Sequence, residues 1–145
     1  MTEIAFHFGA PDKIGYVCRL LRKAVRQGHR VTVYAEPDDL PVLDANLWSV
    51  SPIDFVTHCR SNADAAIRDL SAVLLTSVEQ PTPEIRPMLV NVSDSIPPAF
   101  DQYTRMVEVV SLDEADRAQA RLRWKQYVQQ GYSLIKHDLK LKGAS

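Results

Sequence analysis

The residues most able to do chemistry crowd into one stretch near the C-terminus, RAQARLRWKQYVQQGY, residues 117–132. It holds three arginines, a lysine, a tryptophan and two tyrosines. At helical spacing Arg117, Arg121, Trp124 and Val128 share one stripe, and Ala120, Trp124, Tyr127 and Gly131 share the next. Guanidinium groups one turn apart offer planar, bidentate hydrogen bonds to carboxylates. A large aromatic beside them shelters an apolar group. The spacing therefore suits an acidic partner that ends in something apolar. It also describes a solvated helix whose basic end offsets the helix dipole, with Trp124 and Tyr127 turned into the core. Contact with DNA phosphates is a third reading, opposed by the lack of basic charge elsewhere in the chain.

A second set of candidate contact residues lies in LDANLWSVSPIDFVTHC, residues 43–59. Trp48, Phe55 and Val56 fall in or beside irregular structure, where aromatic anchors often mark an interface. The same residues would equally serve by folding inward over a sheet edge.

Other chemistries find little support. His7, His29, His58 and His137 are scattered, without metal-ligand spacing and without a cysteine cluster around them. No metal or other cofactor is expected, and each histidine reads as a surface or hydrogen-bonded residue. Cys18 and Cys59 are far apart and read as two ordinary thiols. The turn HFGAPDKIGY lacks the G-x-G-x-x-G pattern, and its Pro11 and Asp12 stand where a pyrophosphate needs backbone donors. Neither a phosphate-binding G-x-x-x-x-G-K-S/T loop nor a G-x-S-x-G elbow is present. PDD and DEAD read as acidic helix starts that complement the dipole.

These residues must be positioned by a small scaffold. The chain has 145 residues, 46% of them hydrophobic and 24% charged, with a net charge of -1. That is enough for one domain with a real core. The charge is segregated: residues 117–145 hold seven Lys/Arg and one Asp. No apolar run approaches a bilayer span and no signal-like segment opens the chain, so a cytoplasmic protein is expected.

Residues 3–8 alternate as a first strand. Asp12 can cap a helix over KIGYVCRLLRKAVRQG, closed by Gly28. RVTVYA is a second strand, so the opening is a β-α-β unit with a parallel crossover. Further strands are expected at 72–76, 88–93 and 105–110, with a short helix or pair of turns after Pro37. Residues 52–61 read as irregular. The C-terminal helix runs from about 112 to 131. The segment beyond it reads as a tail, with 137–145 flexible. Strands alternating with helices in a chain of this size give an α/β fold: one Rossmann-like three-layer sandwich with a mostly parallel sheet.

Several of these segments together resemble the chi subunit of the bacterial DNA polymerase III holoenzyme. They are the opening strand with FHF, RQGHRVTVYA, LDANLWSVSPIDFVTH, RPMLVNVSDSIPP and ARLRWKQYVQQGYSL, spread over nearly the whole length. The pairing of LW with FVTH, and an R-x-x-W/Y-K-x-Y motif near the C-terminus, carry the likeness in combination. The resemblance implies a Rossmann-like protein that is not itself an enzyme. It implies an accessory subunit in DNA replication, part of the replisome at the nucleoid. One implied partner is the acidic C-terminal tail of single-stranded DNA-binding protein, which ends in a phenylalanine carboxylate. The other is the psi subunit of the clamp-loader complex. Contact with single-stranded DNA itself would be indirect.

By position, the tail site falls on Arg117, Arg121, Trp124, Lys125, Tyr127 and Gly131, and the psi site on Trp48, Phe55 and His58. Trp124 stands where the family usually has tyrosine, Arg117 where lysine is common, and Thr57 where a proline is familiar. The alternative from a different class is a small α/β enzyme that binds a nucleotide or metabolite.

Overall fold

The computed structural model describes residues 2–48, 58–60, 72–77 and 86–139, with the backbone alone at residues 48 and 58–60. Seven strands and three helices are seen among them. In chain order they are β1 (Glu3–Ala10), α1 (Lys13–Arg26), β2 (Val31–Tyr34), α2 (Leu40–Trp48), β3 (His58–Arg60), β4 (Val73–Thr76), β5 (Met88–Asn91), β6 (Arg105–Ser111), α3 (Glu114–Gln129) and β7 (Leu134–Asp138). A 3-10 turn at Phe100–Gln102 lies between β5 and β6. The strands form one sheet in the order β3-β4-β2-β5-β6-β1-β7, and all of its pairings are parallel.

The central strands are short and apolar because both faces of a parallel sheet are covered. Every residue of β4 and of β5 is buried. Successive side chains alternate between two cores. Val31, Val33, Val90, Val107 and Val109 face α1 and α2, where Val17, Leu21, Leu43 and Leu47 meet them. Ile4, Phe6, Leu89, Met106 and Val110 face Ala120 and Tyr127 of α3 and the 3-10 turn's Phe100. The result is an α/β three-layer sandwich.

α1 starts where Asp12 accepts a bond from the Gly15 N–H at 3.1 Å. It stops at Gly28, whose φ of +88° suits a residue without Cβ. The stop is a paired one: the Gly28 N–H reaches Val25 O at 3.0 Å and the His29 N–H reaches Ala24 O at 2.9 Å. Burial pushes the Cys18 thiol up to about 11, against the pull of Arg22, so this buried cysteine stays protonated at neutral pH.

β1 and β2 are parallel, as read from sequence, with β5 and β6 between them. Two details differ from the sequence reading. Residues 58–60, read as irregular, form the edge strand β3. The segment after α3, read as a tail, forms β7, which pairs with β1 from Leu134 to Asp138, and Leu139 beyond it is buried. Both additions are edge strands of five residues or fewer, too polar and too short to show a period. No described helix is long and apolar enough to cross a membrane.

Candidate functional site on the outer face of helix α3

α3 is fixed at both ends. Its N-cap, Asp113, accepts from the Asp116 N–H at 3.2 Å, and Glu114 and Asp116 place acid in the first turn, where the dipole favours it. The Asp116 carboxylate also takes the Ser111 N–H at 2.8 Å and pairs with Lys13 of α1 at 3.0 Å. Burial opposes ionisation of Asp116, but the Ser111 N–H and Lys13 outweigh it, and its pKa is held below the ordinary carboxylate value. At the other end Gly131 takes φ +92° and repeats the α1 stop, with Gly131 N–H to Val128 O at 3.0 Å and Tyr132 N–H to Tyr127 O at 3.1 Å.

The roll of α3 about its axis is set by its inner stripe, Ala120, Arg123 and Tyr127, all buried. Beneath them lies Glu108 of β6, fully buried. Its carboxylate takes the Tyr127 hydroxyl at 2.6 Å, the Asn91 amide at 3.0 Å and Arg123 Nε at 3.2 Å. Arg123 Nη2 stands 3.1 Å from Oε1, and Nη1 donates to Asp94 O at 2.9 Å. Burial raises the Glu108 pKa, while Arg123, Tyr127 and Asn91 pull against it. Burial, followed by the Glu108 charge, raises the pKa of Tyr127. An amide, a hydroxyl and a guanidinium thus converge on this one carboxyl group.

With the inner stripe locked, Arg117, Arg121 and Lys125 emerge four residues apart on the exposed side. Trp124 is intermediate. Its ring meets Phe6 edge-on at 5.0 Å and lies 6.2 Å from Phe8. One side of the indole is thus seated on the core, and it also helps wall an open cavity of about 290 Å³ with Phe8, Arg121, Lys125 and Lys136. A second cavity of about 200 Å³ lies against Phe8, Leu112, Arg117, Arg121, Lys136 and Asp138. Phe8, Arg121 and Lys136 belong to both, so the two adjoin. The Lys136 ammonium lies over the Phe8 ring, 5.5 Å from its centroid.

Glu114 holds the two arginines in the free protein. It lies 2.9 Å from Arg121 and 3.7 Å from Arg117. Its pKa is lowered, first by the hydrogen bond from Arg121. All three side chains are exposed, so this carboxylate can be displaced by another.

Of the residues read from sequence, the structure therefore gathers Arg117, Arg121, Trp124 and Lys125. Tyr127 is in the core, where its hydroxyl holds Glu108. Gly131 is exposed and closes the helix; it lines neither cavity. Phe8 and Lys136 were missed, because they come from β1 and β7, far away in sequence. Residues 3–8 read as a strand, but nothing in the sequence links Phe8 to α3. Trp48 ends α2 and His58 begins β3; Phe55 lies outside the described residues.

Among the described residues, no group of three or more His, Cys, Asp or Glu is arranged to hold a metal ion. The fold and this face define a class: a parallel α/β sandwich that presents a basic and aromatic surface. Comparison with known proteins narrows the class. Residues 1–135 match the family model described as DNA polymerase III chi subunit, HolC. The chain is 30% identical over 144 residues to the DNA polymerase III subunit chi of Pseudomonas aeruginosa, covering 96% of this chain and 98% of that protein. It is 28% identical over 118 residues to the subunit of the same name from Haemophilus influenzae, covering 81% of each. The chain belongs to the DNA polymerase III chi subunit family, whose members are accessory subunits in DNA replication.

Proposed function

We propose that this chain is a non-catalytic adaptor of the replicase in the cytoplasm, and that its α3 face captures the acidic C-terminal tail of single-stranded DNA-binding protein. The observation that carries the reading is the pair of adjoining cavities sharing Phe8, Arg121 and Lys136. Carboxylates of the tail bind Arg117, Arg121, Lys125 and Lys136, displacing Glu114. The terminal phenylalanine ring lies against Trp124 and Phe8. Each hydrogen bond between charged groups contributes about 1.5–3 kcal/mol, and the shielded ring adds about as much. The tail comes to lie on a rim of exposed charges, so binding weakens with salt.

The second partner in this reading is the psi subunit, docked through Trp48, Phe55 and His58. Family membership supports it. DNA is reached only through the protein that coats it.

The test is calorimetry with an acidic peptide ending in phenylalanine, beside the same peptide ending in alanine. Tight binding of the first alone, lost as salt rises, is expected. No binding at low salt would sink the assignment. Phe55→Ala should weaken psi and spare the peptide.

A further inference from the structure

The other face of the sheet carries a third, larger cavity, of about 460 Å³, along α1. Its charge sets it apart. Arg19 and Lys23 of α1, Arg105 of β6, and His7, His29 and His137 line it, and among the described residues no Asp or Glu does. The sequence around it is equally one-sided: residues 13–30 carry six Lys/Arg and no acid, in a chain of net charge -1. Part of that charge has internal partners. Lys13 pairs with Asp116, and Arg105 lies 3.8 Å from Glu3 at the exposed rim.

The floor is built by strand pairing. His7 and His137 are register partners on β1 and β7, with ring centroids 4.9 Å apart. Tyr16 of α1 holds His7 through a 2.5 Å bond between its hydroxyl and Nδ1. Two imidazoles and a phenol are thus fixed below Arg19 and Lys23, while Leu20, Met88 and Leu139 supply an apolar wall.

Like charges gathered around a concavity raise the local potential and favour an anion there. Arg19 and Lys23 stand one turn apart on the exposed side of α1, so one diphosphate can meet both. The volume lies within the range of about 300–1,000 Å³ typical of small-molecule pockets. The cavity's walls come from α1 and from residues of β1, β5, β6 and β7. We propose that this cavity binds a phosphate-bearing small molecule of about nucleotide size. Its phosphates sit on Arg19, Lys23 and the paired histidines, and its apolar part lies against Leu20 and Met88.

The test uses the full chain at low salt and three probes: adenosine diphosphate, inorganic pyrophosphate and a short oligothymidylate. Adenosine diphosphate should bind and raise the Tm, with pyrophosphate weaker. The double variant Arg19→Glu/Lys23→Glu changes only exposed side chains of α1. It should reduce that affinity by about tenfold or more and leave binding of the phenylalanine-ended peptide unchanged. His137→Gln should weaken the diphosphate less. No binding of either small anion, or binding undiminished in the folded double variant, overturns the proposal. So does an oligothymidylate that binds more tightly than adenosine diphosphate, since the surface is then a strand-binding one. The peptide is read out separately, so failure here leaves the α3 reading standing.

Discussion

α3 carries two arginine–glutamate pairs of nearly equal length and opposite consequence. Arg121 and Glu114 are 2.9 Å apart with about half or more of each side chain in solvent. Arg123 and Glu108 are 3.1 Å apart, with side chains 4% and 0% exposed. The outer pair exchanges freely with water and with any competing carboxylate, so it adds little to stability. The inner pair has given up its hydration and depends on Tyr127, Asn91 and Asp94 O for what water supplied. One sequence motif, R-x-R, thus sends neighbouring arginines to different tasks. Arg123 fixes the roll of the helix, and Arg121 is free to be used because Arg123 is not.

The comparison is broken most severely from inside. Glu108→Ala strands a buried guanidinium, and the loss should be about 3–5 kcal/mol in urea unfolding. A loss under about 1 kcal/mol would show that the buried pair does not hold α3. Arg121→Ala cuts the other way. It should cost the phenylalanine-ended peptide about 1.5–3 kcal/mol of affinity by calorimetry, with stability unchanged within about 0.5 kcal/mol. If both variants shifted stability alike, the division between the two pairs would be wrong.

That division explains which parts were legible in the sequence. β1, α1, β2 and the strands ending in β6 announced themselves through apolar period and caps, because their side chains face one or two cores. α3 was legible as a helix, and spacing put Arg117 and Arg121 on one stripe with Trp124; Lys125 came only from the family resemblance. The inner stripe of α3 was not legible, since Arg123 is a charged residue in a core position and Glu108 a single acid within the apolar run MVEVV. Spacing put Trp124 and Tyr127 on one stripe. The structure separates them, because the Tyr127 hydroxyl finds Glu108 while the indole stops at Phe6. Lys136 and Phe8 were hidden for another reason: β7 is a polar edge strand, and only its pairing with β1 brings either residue to α3.

A smaller effect sits at the helix start. Asp116 has a depressed pKa in the folded protein, so its contribution is present above the ordinary carboxylate range near about 4. It is lost as the pH falls through the lower folded value. Asp116→Asn should cost about 1 kcal/mol at neutral pH. It should also flatten the acid limb of the stability curve below about pH 4, where the unfolded-state carboxylate takes up its proton before the folded one does.

The smallest effect isolates the outer pair itself. Glu114 competes with incoming carboxylates for Arg117 and Arg121, so removing its charge should help the peptide. Glu114→Gln should tighten peptide binding a few-fold at most, since exposed pairs are weak. The gain should shrink as salt rises, because screening weakens the competitor and the ligand alike. Stability should barely move. A weakened affinity would mean that Glu114 orders the arginines for the ligand rather than competing with it. The outer pair would then be a preorganising element, closer in kind to the inner one than its exposure suggests.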